Sequence, residues 1–151
     1  MKKETKRYVK SLLYDYGRYD DYVARRRYQL QHPLQQIDEN VGGGRAKNKF
    51  TNPVLTMLIT IDEDERLNNL RIQHEAIREC YDEANVTVKT ICEELYFKKK
   101  SLRRYGSIEA LSRAHKINTS SSNAYRMLDE FLENIANTLH LGLMEDFKDG
   151  K

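Results

Sequence analysis

Apolar side chains in this chain recur every three or four residues almost from end to end, a period that fits α-helix and not strand. The only two prolines, Pro33 and Pro53, flank its one long irregular stretch, about His32 to Asn52. Val9, Leu12, Leu13 and Tyr16 predict a first helix over about 4–16, stopped by Gly17. Tyr22, Val23, Arg26 and Leu30 predict a second over about 20–31. Arg25, Arg26 and Arg27 must spread around that helix, so at least one is expected near the core edge with its stem buried. From Pro53, a good first-turn residue, a long helix is expected to about Ala84. Along it Leu67, Leu70, His74, Ile77, Tyr81 and Ala84 make a heptad-like seam, suited to a partner helix within the chain or across a dimer. His74 reads there as a packed histidine and not a metal ligand. Val88, Ile91, Cys92, Leu95 and Tyr96 mark a further helix over about 87–97. No segment alternates as a half-buried strand would, and the fold class is all-α.

Charge is striped along the sequence. Residues 1–31 hold nine Lys/Arg against four Asp/Glu, whereas residues 60–94 hold ten acids against four bases. Residues 95–128 then carry eight bases against the single acid Glu109, inside a chain whose net charge is only +3. A basic block is often just a solvated face, so its position matters more than its size.

The basic block coincides with a recognisable pattern. After Phe97 come KKKSLRRYG and then SIEALSRAHKINTSSSNAYRMLDEFLENIANTLHLGL. Ser107 is a good N-cap, and Ile108, Leu111 and His115 give a short helix one inner face. Ile117 is placed to plug a turn, with Lys116 where a turn glycine is common. Asn118 and Thr119 offer turn and N-cap chemistry for a longer helix. Its inward stripe is expected to be Ser122, Tyr125, Leu128, Leu132, Ile135 and Leu139, with Gly142 as the stop. A short helix, a turn of three or four residues and a longer helix are the helix-turn-helix plan, here over 107–138. In that plan the start of the second helix meets base edges in the major groove. The expected readers are Thr119, Ser120, Ser121, Asn123, Ala124, Arg126 and Met127, since Asn and Arg can pair bidentately with adenine and guanine. Lys98, Lys99, Lys100, Arg103, Arg104, Arg113 and Lys116 would contact the DNA backbone and release counter-ions. The loop NVGGGRAKNKF reads as a linker or, alternatively, as an accessory DNA-backbone contact through Arg45, Lys47 and Lys49; it lacks the GKS or GKT ending of a phosphate-binding P-loop. Three domains follow: a helical pair with the Gly-rich loop (1–52), a helical DNA-binding domain (53–143) and a flexible tail (144–151).

Several function classes are disfavoured. No Ser/His/Asp set, metal cluster or acid pair has a recognisable spacing, so the chain is read as a non-enzyme without cofactor or metal. Asp62, Glu63, Asp64 and Glu65 look like helix-start acids that cap and solvate. Cys80 and Cys92 read as packed thiols of a reducing compartment. MKKETKRYVK begins basic, but the apolar run of a secretory leader does not follow. Nor is there a run of about 18 apolar residues. A cytoplasmic protein with no membrane partner is expected.

The YDDYVARRR helix, the DENVGGGR loop, the IDEDERL helix start and the ELYF segment together resemble the ArpU/RinA-type activators of late transcription in phages of Gram-positive bacteria. The closing helices are similar to region 4 of sigma factors. The resemblance implies a sequence-specific activator of packaging and morphogenesis genes, acting in the bacterial host on double-stranded promoter DNA and on host RNA polymerase. A homodimer is expected, because one module of this size reads few base pairs. Two other readings compete: a small terminase subunit that recognises DNA, and a helical adaptor that binds polymerase without reading DNA.

Overall fold

The computed structural model describes residues 1–32, 60–61 and 64–141. Among these residues the backbone is helix and turn, without a strand. No described helix is long and apolar enough to cross a membrane. The helices are α1 (Lys3–Tyr16), α2 (Tyr19–Gln31), α3 (Glu65–Glu83), α4 (Val86–Ile91), α5 (Ile108–Arg113) and α6 (Ser121–Thr138). The Gly-rich loop and the expected domain boundaries at 52/53 and 143/144 lie outside the described residues, as does Gly142.

The chain divides into two units, Asp20–Leu70 and Met1–Tyr19 with Arg71–Lys151. The larger unit holds the apolar core. Val9, Leu12 and Leu13 of α1 pack there with Ile77 of α3, Val88 and Ile91 of α4, and the inner stripe of α6. Each such side chain taken from water contributes about 1.5–3 kcal/mol, so α1, with no side-chain cap at its start, is held mainly by this burial. The expected seam of α3 therefore packs within the chain from Ile77 onward, with Cys80, Tyr81 and Ala84 against the same core. His74 stacks on the rings of Tyr16 (4.6 Å between centroids) and Tyr19 (3.8 Å), a packed histidine as its place in the seam suggested.

Past Ile91 the helix does not continue as an α-helix. Cys92–Phe97 widens into a π-helical turn, closed by the Lys98 N–H on the Glu93 carbonyl at 3.3 Å. The wider turn lets Leu95, Tyr96 and Phe97 all reach the core, which three consecutive residues of a 3.6-residue helix do less readily. Burial pushes the Cys92 thiol up to about 12, so it stays protonated at neutral pH.

Phe97 also explains Gly17. At φ −67° that residue needs no left-handed backbone. A Cβ there would instead lie well inside contact distance of the Phe97 carbonyl oxygen, and 3.1 Å and 3.2 Å from the carbonyl carbon and Cα. Gly17 is a close-approach glycine joining the end of α1 to the π-helical turn.

In the smaller unit, Arg26 meets Asp64 in a forked pair, with Nη2 donating to Oδ1 at 2.6 Å and Nε to Oδ2 at 3.1 Å. Of the three consecutive arginines only Arg26 is half-buried, Arg25 and Arg27 being exposed. It lies against the Asp64 carboxylate and not at the expected core edge, since no residue of α2 is buried. Asp64 also accepts the Leu67 N–H at 3.0 Å, capping α3, and the Arg26 guanidinium holds its carboxyl below the usual range. The helix expected to run unbroken from Pro53 to about Ala84 is thus corrected: Asp64 stands outside helix and a new one starts at Glu65.

Replacing Gly17 by alanine should destabilise the fold by about 1–3 kcal/mol, because backbone and not a movable side chain stands in the way. Urea unfolding would show this as a lower midpoint at constant slope. An unchanged midpoint would mean that Phe97 moves aside freely.

Candidate nucleic-acid interface

Helices α5 and α6 are set by their caps. Ser107 Oγ accepts the Ala110 N–H at 3.2 Å, and Ser120 Oγ accepts the Asn123 N–H at 3.2 Å. The second cap is thus Ser120, one or two residues later than the Asn118/Thr119 expected from sequence. Thr119 instead braces the turn, its carbonyl accepting from Ser112 Oγ at 3.3 Å. Ile117 is buried, filling the space between the two helices as its position suggested.

The turn is longer than three or four residues, since α5 ends at Arg113 and α6 begins at Ser121. Its first part is a Schellman motif. The Lys116 N–H reaches the Leu111 carbonyl at 3.0 Å and the His115 N–H reaches that of Ser112 at 3.1 Å. The residue carrying the left-handed backbone is His115, at φ 56°. The glycine-like position of this turn is therefore His115 and not Lys116. His115 accordingly leaves the inner face expected for it and is exposed. The end of α6 repeats the device, with His140 at φ 57° and the Leu141 N–H on the Ala136 carbonyl at 2.9 Å.

Burial fixes the rotation of α6. Ala124, Leu128, Phe131, Leu132, Ile135 and Ala136 are its buried residues. Leu128, Leu132 and Ile135 are among those expected inside, whereas Ser122 and Tyr125 point outward. Ser122 lies roughly 120° around the helix from Leu128, while Ala124 is one turn below it on the same face. Two of the expected reading residues are corrected by this rotation. Ala124 is fully buried and meets no ligand. Met127 is half-buried against the core, its Sδ taking the Asn85 amide at 3.7 Å.

The remaining outer residues form a small network. Ser120 and Arg126 are exposed, and Ser121 and Asn123 are half-buried. Asn123 Nδ2 donates to Thr119 Oγ1 at 2.7 Å, and its Oδ1 accepts from Arg126 Nη2 at 2.8 Å. Arg126 Nη1 also donates to Glu130 at 2.8 Å. Tyr125, which the sequence reading placed inside, donates to both oxygens of Glu109 at 2.8 and 3.0 Å, tying α6 to α5. The signal for Ser122 and Tyr125 was the alanine at 124, whose spacing to Leu128 and Phe131 completes the stripe without them.

The basic block is structurally mixed. Lys99, Lys100, Arg104, Arg113 and Lys116 are exposed, with no ion pair among the described residues. Lys98 pairs with Glu94 at 2.9 Å. Arg103 has a structural role, donating to the carbonyls of Lys98 at 3.0 Å and Tyr96 at 3.4 Å and lying 5.0 Å over the Tyr14 ring. Arg45, Lys47 and Lys49 lie outside the described residues.

Replacing His115 by glycine should stabilise the chain by about 0.5–1 kcal/mol, since only glycine adopts that backbone without a Cβ penalty. Thermal unfolding would register a higher midpoint. A lower one would mean that the imidazole supports the turn.

No curated protein and no solved structure matches this sequence. Residues 1–137 match the family described as protein of unknown function (DUF722), which takes in α1 and nearly the whole of α6. By that match the chain belongs to the DUF722 family.

Proposed function

We propose that the protein is a sequence-specific DNA-binding activator of phage late genes, in which α5 and α6 act as a helix-turn-helix of the sigma region 4 type. The observation that carries this reading is the outer face at the start of α6. Ser122 and Arg126 stand exposed there with Asn123 beside them, while Ala124 and Leu128 anchor the opposite side. A helix held this way can enter a major groove without disturbing the core.

Each residue then has a distinct part. Arg126 exchanges its exposed pairing with Glu130 for a base edge, a cheap exchange because surface ion pairs contribute little. Asn123, held by Thr119, positions that guanidinium. Ser120 and Ser122 offer hydroxyls to phosphates or base edges. Lys99, Arg113 and Lys116 supply sequence-independent attraction to the backbone. The resemblance to ArpU/RinA-type activators supplies the setting: a promoter before packaging and morphogenesis genes, host RNA polymerase as protein partner, and a dimer to read two half-sites.

Mobility-shift titration over a salt series, using such promoter duplexes and random ones, tests the reading. Arg126→Ala should cost roughly 1–3 kcal/mol on the preferred site and relax its preference. Lys99→Ala should weaken both duplexes alike and reduce the salt slope by about one. The reverse pattern would put a different element in the groove.

A further inference from the structure

One concave surface of the larger unit is left unassigned by this reading. A cleft of about 450 Å³ opens between α1, the π-helical turn, the 100–107 segment and the side of α6 that carries Tyr125. Lys10, Lys100 and Arg104 line it, as do the rings of Tyr14, Tyr105 and Tyr125, and no acidic residue does. None of the three bases forms an ion pair among the described residues. By contrast, Lys6, one turn before Lys10 on α1, pairs with Asp129. Tyr14 and Tyr125 keep 43% and 41% of their surface exposed, so their rings are open to a ligand. The wall is cross-braced: Arg103 donates to two backbone carbonyls and lies over Tyr14, and Tyr125 donates to Glu109.

We infer that this cleft binds one sugar-phosphate strand of duplex DNA, with phosphates on Lys10, Lys100 and Arg104 and deoxyribose faces against the tyrosines. Unpaired cations in a concave wall bring phosphates close, and aromatic rings among them offer apolar faces to the deoxyriboses between those phosphates. A chain of acidic side chains would use the cations and leave the rings idle. The inference rests on the DNA-binding reading and extends it to α1, through Lys10, a residue the sequence pattern left without a role. Tyr125 is the link, since it stands on α6 beside Arg126 and also lines the cleft. A strand held here would therefore lie next to the proposed reading face.

The test is fluorescence anisotropy of the full-length chain with a labelled random-sequence duplex over a salt series. Changing Lys10→Gln and Arg104→Gln together should lower affinity at low salt at least tenfold. The slope of log affinity against log salt should fall by about two, one for each lost phosphate contact. The charge-keeping pair Lys10→Arg and Arg104→Lys should retain both, which separates lost charge from damaged folding. Unchanged affinity and slope in the Gln double variant would overturn the inference. So would poly-glutamate of equal charge competing as well as DNA, which would assign the cleft to an acidic protein. Cleft-dependent binding by a wild-type chain with no sequence preference would support the cleft and overturn the recognition role of α6. A wild-type chain that binds no duplex at any salt would overturn both.

Discussion

The rotation of α6 about its own axis is the constraint on which the candidate site depends. Six apolar residues between Ala124 and Ala136 are buried on one side of this helix. At about 1.5–3 kcal/mol for each of the four larger side chains, a rotation that exposed them would forfeit stabilisation comparable with the whole stability of a typical domain. The outer residues are therefore whatever this stripe leaves outside. Ser122, Tyr125 and Arg126 are exposed because Leu128, Phe131 and Leu132 are not. The same core takes in α1, so the N-terminus of the chain is built into the unit that carries the proposed reading helix.

Most elements are plain in the sequence, because apolar periodicity over ten or more residues is a strong signal. The exception is the helix expected from Pro53 to Ala84, which the Asp64 cap interrupts before Glu65. Helices expected over about 4–16 and 20–31 are observed at Lys3–Tyr16 and Tyr19–Gln31. The Ser107 cap and the Ile117 plug were equally legible, since each depends on a residue type at a fixed local offset. What was harder to read is the phase of a short amphipathic segment. At the start of α6, serines and one alanine give weak contrast, and a tyrosine can face either way. On that account periodicity puts Ala124 outside and Tyr125 inside, the reverse of their observed burial.

Other differences have a non-local cause. Gly17 reads in sequence as a helix stop, yet the reason for a glycine is the Phe97 carbonyl, eighty positions away. Widening of the helix at Cys92–Phe97 brings three consecutive residues, Leu95, Tyr96 and Phe97, against the core, which no period in the sequence announces. His115 and His140 sit where glycine would be favoured, and a turn keyed on glycine is thus displaced by one residue. The basic block was conspicuous as composition, but its division was not. Lys98 and Arg103 hold the connector together, and Lys100 and Arg104 face a cleft that α1 completes.

In vitro selection of full-length protein on a pool of random duplexes puts the central claim at risk most directly, because it assumes no operator. A reading face at Ser122–Arg126 should enrich a short recurrent motif within a few rounds, at salt high enough to suppress non-specific attraction. A pool that stays random while still binding at low salt would contradict it. Binding would then be electrostatic only, and α6 would not be a recognition helix.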